Sequence, residues 1–264
     1  MKKLAAVFLL VILAAVWTGG CSIAKKDTLT VGMELAYPPF ETKDENGEPY
    51  GVSVELALEL GKFLGRPVKI ENINWTGLIP ALETGRVDVV ISSMTVTEER
   101  KKQVDFSDPY ATAYLALLVN RETPAESVED LNREGVVIAV KMGTTGHIYA
   151  ENNLQKADLT VLSSENACVT EVIQGKADAF IYDQLTIYRQ SKLHPEETKA
   201  LLIPFQEGEK WAAAVKKGNS ELLQQINEFI RHYREEGGFE RLTEKYLAEE
   251  KEVFDSLGFR WFFE

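Results

Sequence analysis

The sequence predicts an α/β protein made of two lobes of similar design. Short, β-rich apolar runs alternate with helical patterns, which favours largely parallel sheets covered by helices on both faces. The alternation restarts in the second half, where QGKADAFIYD (174–183) aligns with TGRVDVVISS (84–93) at an offset of 90 residues. VVIAVK (136–141) likewise resembles LTVGME (29–34) at an offset of 107. The shared Gly-basic-x-Asp run indicates two equivalent lobes rather than one continuous domain.

The elements of the first half follow from β-rich runs and helical apolar spacing. Strands are predicted at 29–33, 68–73 and 87–91, and helices at 52–64 and 78–84. The helix at 52–64 is supported by the spacing of its apolar residues Val54, Leu56, Leu58, Leu60 and Phe63.

The second half shows the same succession and then a helical tail. Strands are predicted at 136–140, 159–162 and 179–182, with helices at 146–153 and 167–174. A long helical segment at 220–247 is interrupted at Gly237-Gly238. Cys168 stands at the start of a helix, and we expect it to be a buried free thiol.

The composition is that of an ordinary globular protein, with 264 residues, 45% hydrophobic residues and a formal net charge of −12. This length allows one large domain or two of modest size. An acidic chain is a poor partner for phosphate backbones, so we expect no nucleic-acid binding. The sequence contains no HExxH, CxxC or Walker-type loop, so we expect no metal and no cofactor.

The first 20 residues have the pattern of a signal peptide. Lys2 and Lys3 precede an uncharged run of fourteen residues (4–17), which is too short to span a bilayer comfortably but suits a signal-peptide core. Small residues before Cys21 resemble the bacterial lipoprotein cleavage box, although Thr18 stands where that motif usually has leucine. We expect removal of 1–20, lipid attachment at Cys21 and a linker at 21–28. A plain secretory signal with an incidental cysteine is the alternative.

Polar residues follow the predicted strands in both halves. Ser93 and Asp183 stand at equivalent strand ends, and so do Glu34 and Lys141. In open parallel sheets ligands bind beyond the carboxyl ends of the strands. If the lobes face each other, these four side chains converge on one cleft.

Two segments carry groups suited to an anion. Arg100 lies one turn into a helix that Thr97 is expected to cap, and Ser93 and Thr95 add hydroxyl and backbone donors; together they suit a carboxylate. The alternative is an ordinary exposed helix arginine. The run KMGTTG (141–146) precedes a helix whose free amide groups can also receive an anion, although Gly-Thr turns are common.

Asp183 and three residues of the first half complete the candidate site. A carboxylate at the end of an apolar strand needs a cation or donors, so Asp183 suits a ligand ammonium, with a helix N-cap as the alternative. Tyr37 and Trp75 can sandwich a flat or cationic ligand group, with core packing as the alternative. Glu34 is the remaining candidate.

Taken together, these motifs resemble the type II periplasmic solute-binding proteins of the polar amino acid family (solute-binding family three). The resemblance runs in order from about residue 29 to 247. It rests on GMELAYPPFE (32–41), WTGLIPAL (75–82), SSMTVTEERK (92–101), FSDPY (106–110), KMGTTG (141–146) and ADAFIYD (177–183).

The resemblance implies a fold of two Rossmann-like lobes joined by a two-strand hinge. The first lobe would comprise 29–117 and 209–264, and the second 118–208. The chain would cross near 117–119 and return near 205–211. The tail 248–264 lies beyond the resemblance at its strongest; we expect its aromatic end to pack on the first lobe or to be mobile.

The resemblance also implies roles for single residues. Arg100 and Thr145 would hold the α-carboxylate of an amino acid, assisted by Thr95 and Ser93, and Asp183 would take the α-ammonium. The remaining positions would surround the ligand: Tyr37 and Trp75 beside its side chain, Glu34 near its far end, Ser92 and Thr144 at the border, and Lys141 in a role found in some glutamine-binding relatives.

The implied function is extracytoplasmic capture of an amino acid for an ATP-driven (ABC) importer, whose membrane permease would be the partner of a lipid-anchored monomer. Glu34 favours arginine or lysine slightly, whereas Lys141 favours glutamine. We expect no enzymatic activity, since no nucleophile–base pair is evident and His147, His194 and His232 are scattered. A dehydratase-type enzyme on the same fold and a sensor module for a membrane receptor are the alternatives.

Overall fold

The computed structural model describes residues 28–264. The predicted signal peptide and Cys21 lie outside the described residues. The strands are β1 (Leu29–Met33), β2 (Thr42–Lys43), β3 (Pro49–Tyr50), β4 (Val68–Asn72), β5 (Val89–Val90), β6 (Val104–Phe106), β7 (Ala111–Ala113), β8 (Leu115–Asn120), β9 (Val137–Lys141), β10 (Asp158–Leu162), β11 (Ala179–Asp183), β12 (Thr198–Leu201), β13 (Glu209–Trp211) and β14 (Ala214–Lys216).

The helices cover the two main sheets. They are α1 (Val52–Leu64), α2 (Leu78–Glu83), α3 (Glu98–Lys101), α4 (Thr145–Asn153), α5 (Glu165–Ile173), α6 (Gln184–Leu193), α7 (Ser220–Glu235), α8 (Gly238–Tyr246) and α9 (Ala248–Ser256). Among the described residues, no helix is both long and apolar enough to cross a membrane.

Each lobe is built on a five-stranded sheet. The strand order is β4-β1-β5-β14-β6 in the first and β10-β9-β11-β8-β12 in the second. The neighbours of β1 and β9 run parallel to them, as predicted. β14 and β8 are antiparallel to the strands on either side, so the sheets are mixed rather than largely parallel. Each of these strands directly follows a hinge strand. The apolar pattern of the sequence does not show in which direction such a strand joins its sheet.

The sequence repeat has the same structural role in both lobes. Asp88 accepts a hydrogen bond from the backbone N–H of Thr30 at 2.8 Å, and Asp178 accepts one from Val137 at the same distance. Thr30 and Val137 are themselves 107 residues apart, the offset of the second repeat. The shared aspartate therefore ties the third parallel strand of each lobe to the first, which confirms that the lobes are equivalent.

A two-stranded hinge lies between the sheets. β7 and β13 pair antiparallel, with Glu209 opposite Ala113 and Trp211 opposite Ala111. The predicted crossing at 117–119 was a few residues late, because Leu117 already pairs with Ile181 inside the second sheet. The six residues of β8 are all buried, as expected of a central strand. The chain therefore crosses between 113 and 115.

The tail packs against the first lobe, the first of the two outcomes that we expected for it. Trp261, Phe262 and Phe263 are buried in the same core as the first sheet. The backbone N–H of Thr112 donates to the carbonyl of Phe262 at 2.6 Å, so the tail also borders the hinge strand β7.

The break in the helical tail and the state of Cys168 follow the predictions. Gly237 has a left-handed φ of 69°, and a Cβ on Gly238 would lie 2.5 Å from the ring of Tyr233. Glycine is therefore favoured at both positions. Cys168 is a buried free thiol in α5, which confirms that prediction.

Candidate functional site

A cavity lies between the lobes, and residues of both lobes form its walls. Its walls contain every residue predicted for the site except Lys141. They also contain residues that the sequence did not single out. The complete lining is Glu34, Tyr37, Glu41, Trp75, Ser92, Ser93, Thr95, Arg100, Leu115, Thr144, Thr145, Tyr182, Asp183, Glu209 and Trp211.

Arg100 is a buried cation on the wall of the first lobe. Thr97 caps α3 by accepting a hydrogen bond from the Arg100 N–H, which sets the side chain toward the cleft. The guanidinium donates to the carbonyls of Thr95 at 2.7 Å and of Gly143, in the second lobe, at 3.1 Å. Only 7% of Arg100 is exposed, and burial lowers its pKa to about 10. The alternative of an exposed helix arginine is therefore wrong.

No carboxylate of the described residues lies within ion-pair distance of Arg100. A buried guanidinium that keeps its charge without an ion pair provides a site for an anion. The hydroxyls of Thr95 and Thr145 border the same cavity, where both donate to the carboxylate of Glu209. Thr144 caps α4 by accepting from the N–H of His147, and this places Thr145 at the first turn of that helix.

Asp183 caps the helix that follows it, which is one of the two roles considered for it. One carboxylate oxygen, Oδ1, caps α6 by accepting from the N–H groups of Leu185 at 3.0 Å and Thr186 at 3.1 Å. The other, Oδ2, is buried and has no hydrogen-bond partner among the described residues. Burial raises the pKa of Asp183 above its ordinary value, and the nearby side chains of Tyr37 and Thr186 oppose that rise. The free oxygen thus needs a donor, and a ligand cation at the cavity wall would satisfy it.

Glu34 and Lys141 form an ion pair between the lobes. Glu34 Oε2 is paired with Lys141 Nζ, and Oε1 accepts from the backbone N–H of Trp75 at 3.1 Å. Lys141 is 2% exposed, lies 5.9 Å from the ring centroids of Trp75 and Tyr182, and does not line the cavity. Each oxygen of Glu34 therefore has a partner within the protein, and Glu34 still borders the cavity.

Aromatic rings form the remaining walls. Tyr37 packs edge-on against Tyr182 of the second lobe and Trp211 of the hinge, with centroids 5.6 and 6.2 Å away. Trp75 donates its indole N–H to the carbonyl of Gly143 at 3.0 Å, across the cleft. Tyr37 belongs to the core, as one interpretation expected, and it also borders the cavity.

A buried carboxyl group at Glu41 organises the floor of the cavity. It accepts hydrogen bonds from Ser53 at 2.6 Å and from Ser92 and Ser93 at 3.1 Å each. Ser93 has a left-handed φ of 48°, an uncommon conformation for serine. Glu41 lies in the motif GMELAYPPFE (32–41), but its role as a buried hydrogen-bond acceptor was not predicted from the sequence, because its partners lie up to 52 residues away.

Glu41→Gln is expected to change how stability depends on pH. Burial raises the pKa of Glu41 from 4.5 to about 8, so between these values the folded chain binds a proton that the unfolded chain does not. The stabilisation is complete below the unfolded pKa and is lost as the pH rises through the folded pKa. The melting temperature of the parent should therefore fall more steeply with pH between about 5 and 8 than that of Glu41→Gln.

Thermal unfolding across this pH range provides the measurement. Glu45→Gln, at an exposed position, removes the same charge and serves as the control, whose pH profile should follow the parent. Identical profiles for the parent and Glu41→Gln would refute the assignment of a protonated Glu41 at neutral pH.

Sequence comparison relates the chain to known proteins. The sequence model of bacterial extracellular solute-binding proteins, family 3, matches residues 29–249. The chain is 30% identical to the L-cystine-binding protein TcyJ of Escherichia coli K12 over 228 residues, covering 86% of this chain and 85% of TcyJ. It is also 30% identical to the ABC transporter glutamine-binding protein GlnH of Bacillus subtilis 168 over 279 residues, covering 95% of this chain and 99% of GlnH.

Comparison with solved structures relates the chain to the same class of protein. A solved structure of an ancestral arginine-binding protein bound to arginine superposes with a TM-score of 0.79 at 36% identity, covering 84% of this chain and 99% of that one. The three similar proteins are named for three different amino acids. The ligand of this chain therefore has to be argued from its own cavity.

Proposed function

Because the chain belongs to family 3 of the bacterial extracellular solute-binding proteins and has their type II periplasmic fold, we propose that it captures a free amino acid for an ABC importer. One observation carries the proposal. A buried cation, Arg100, and a buried carboxylate oxygen of Asp183 border the same cavity from opposite lobes, and each lacks an ion-pair partner among the described residues. An amino acid zwitterion presents the two complementary charges.

The binding mechanism follows from this division of charge. The α-carboxylate would be held by Arg100 with Thr95, Ser93 and Thr145, and the α-ammonium by Asp183. Only the closed arrangement satisfies both ligand charges, so the ligand stabilises that state over an open one. Hinge closure of this kind is the transition of periplasmic binding proteins, and the ligand shifts it only through its differential affinity.

The side chain of the ligand would lie toward Trp75 and the Glu34–Lys141 pair. From the sequence, Glu34 slightly favoured arginine or lysine. In the structure Lys141 already neutralises Glu34, and a second cation would meet Lys141 as well. We therefore place a neutral, hydrogen-bonding side chain first, with glutamine as its representative, and arginine or lysine second.

A thermal-shift screen of the chain without residues 1–20 against the common L-amino acids and cystine tests both parts of the proposal. A ligand at about 100 times its Kd should raise the midpoint by about 5–10 °C. L-Glutamine is expected to give one of the largest shifts and D-glutamine, the control, none. Larger shifts with arginine or lysine would refute the neutral side chain. Absence of a shift with every amino acid would refute the function.

We further propose that the chain releases its ligand unchanged. His147 accepts from the backbone N–H of Gly143 at 3.2 Å and pairs with Glu151 at 3.4 Å, which indicates a structural role. Chromatography of ligands after incubation with the protein checks this, and any new product would support the dehydratase-type alternative.

The partners proposed are a membrane permease and, through acylated Cys21, the membrane surface, with the chain acting as a monomer outside the cytoplasm. The location follows from the family. Mass spectrometry of the N-terminal peptide tests lipid attachment, and an unmodified Cys21 would refute it.

A further inference from the structure

Glu209 occupies an unusual position at the start of the hinge strand β13. Its Oε2 atom accepts a hydrogen bond from the Thr95 hydroxyl of the first lobe at 2.9 Å and from the Thr145 hydroxyl of the second lobe at 2.8 Å. Its Oε1 atom accepts from the amide of Gln206 at 2.9 Å. One carboxylate oxygen of the hinge therefore links the two lobes.

The same carboxylate acts on the cation of the site. The charge of Glu209 favours the charged form of Arg100 and opposes the effect of burial on that guanidinium. The hydrogen-bonding groups of Arg100 are directed to carbonyl oxygens, so Glu209 interacts with it through charge alone. Glu209 thus lies near the groups to which the proposed function assigns the ligand α-carboxylate.

A threonine hydroxyl has one proton to donate. While Thr95 and Thr145 donate to Glu209, neither can donate to a ligand. A ligand carboxylate that takes these hydrogen bonds must displace the Glu209 carboxylate, and two carboxylates held at the same donors repel each other.

We propose that Glu209 is an affinity-determining residue, an internal carboxylate that occupies the α-carboxylate subsite and must yield it to the amino acid. This inference rests on the proposed function. Ligand affinity would then depend directly on a residue of the hinge and not only on the two lobes.

Glu209→Gln tests the inference. The amide keeps the size of the side chain, removes the negative charge and offers an N–H group to the ligand carboxylate. Affinity should therefore increase by about tenfold or more. Glu209→Ala, which leaves no competing group, should also bind more tightly than the parent. A residue that merely holds the two hydroxyls in place would give weaker binding in both variants.

The measurement is calorimetric titration with L-glutamine and L-arginine at neutral pH. Glu207→Gln is the matched control, because it removes the same charge two residues away at an exposed position. Tighter binding in the Glu209 variants but not in the control supports the inference. Unchanged or weaker binding, while the parent binds, overturns the role of Glu209 and leaves the proposed function intact. If no variant and no parent binds any common amino acid, both proposals fall.

Discussion

Replacing Arg100 with alanine is expected to weaken amino acid binding by about a hundredfold or more. The guanidinium is buried beside the cavity, and its removal would leave the ligand α-carboxylate in a site without a compensating cation. Binding measured by calorimetry with the best ligand of the screen should show this loss. Arg100→Lys keeps the charge but lacks the planar fork, so we expect an intermediate loss of about tenfold.

The loss should not arise from unfolding. Arg100 has no ion pair among the described residues, and its guanidinium donates to the carbonyls of Thr95 and Gly143, so the melting temperature without ligand should fall by about a few degrees at most. Arg86→Ala is the control: Arg86 pairs with Glu71 at the surface, and its removal should leave affinity unchanged. Parent-like affinity in Arg100→Ala would contradict the assigned carboxylate subsite.

Asp183→Asn is expected to cause a loss of similar size, about a hundredfold. The free oxygen Oδ2 is the proposed acceptor of the ligand α-ammonium, and the substitution removes its negative charge. Asparagine caps helices about as well as aspartate, so the Oδ1 contacts to Leu185 and Thr186 should persist. This variant therefore separates ligand recognition from folding.

Two further variants complete the comparison. Asp183→Ala should lose affinity and also about 1 kcal/mol of the free energy of unfolding, because the cap of α6 is removed. Ser164→Ala removes the cap of α5 in the same lobe, and it should reduce stability by a similar amount without changing affinity. Retained affinity in Asp183→Asn would show that the ammonium is held elsewhere.

The fold was predictable from sequence where a local pattern carries it. The strand and helix succession, the capping of α3 by Thr97 and the repeated aspartates Asp88 and Asp178 all depend on residues close together in the chain or on the repeat. The antiparallel position of β8 and the crossing at 113–115 were not predictable, because they depend on which sheet a strand joins after the hinge.

The site shows the same division. Arg100 was identified because it lies one turn into a helix that Thr97 was expected to cap, and Asp183 because it ends an apolar strand. Glu209 and Trp211 were missed, because single polar or aromatic residues outside a motif carry no local signal. Tyr182 lies within the motif ADAFIYD (177–183), but the motif alone did not indicate that its ring borders the cavity. The Glu34–Lys141 pair joins side chains 107 residues apart, and its formation reversed the argument for a basic ligand.

The amino-acid order alone therefore determined the two-lobed α/β design, and it placed complementary charges at the strand ends of opposite lobes. Apolar periodicity and helix caps depend on neighbouring residues, and each repeated segment carries its own local pattern, so these features can be predicted without the tertiary structure. Only the tertiary structure decided which charges pair with each other and which stay available, since burial and partner distance depend on the packing of segments distant in sequence. Within residues 28–264, that packing pairs Glu34 with Lys141, leaves Arg100 and one oxygen of Asp183 without ion-pair partners, and brings the carboxylate of Glu209 to the hydroxyls of Thr95 and Thr145.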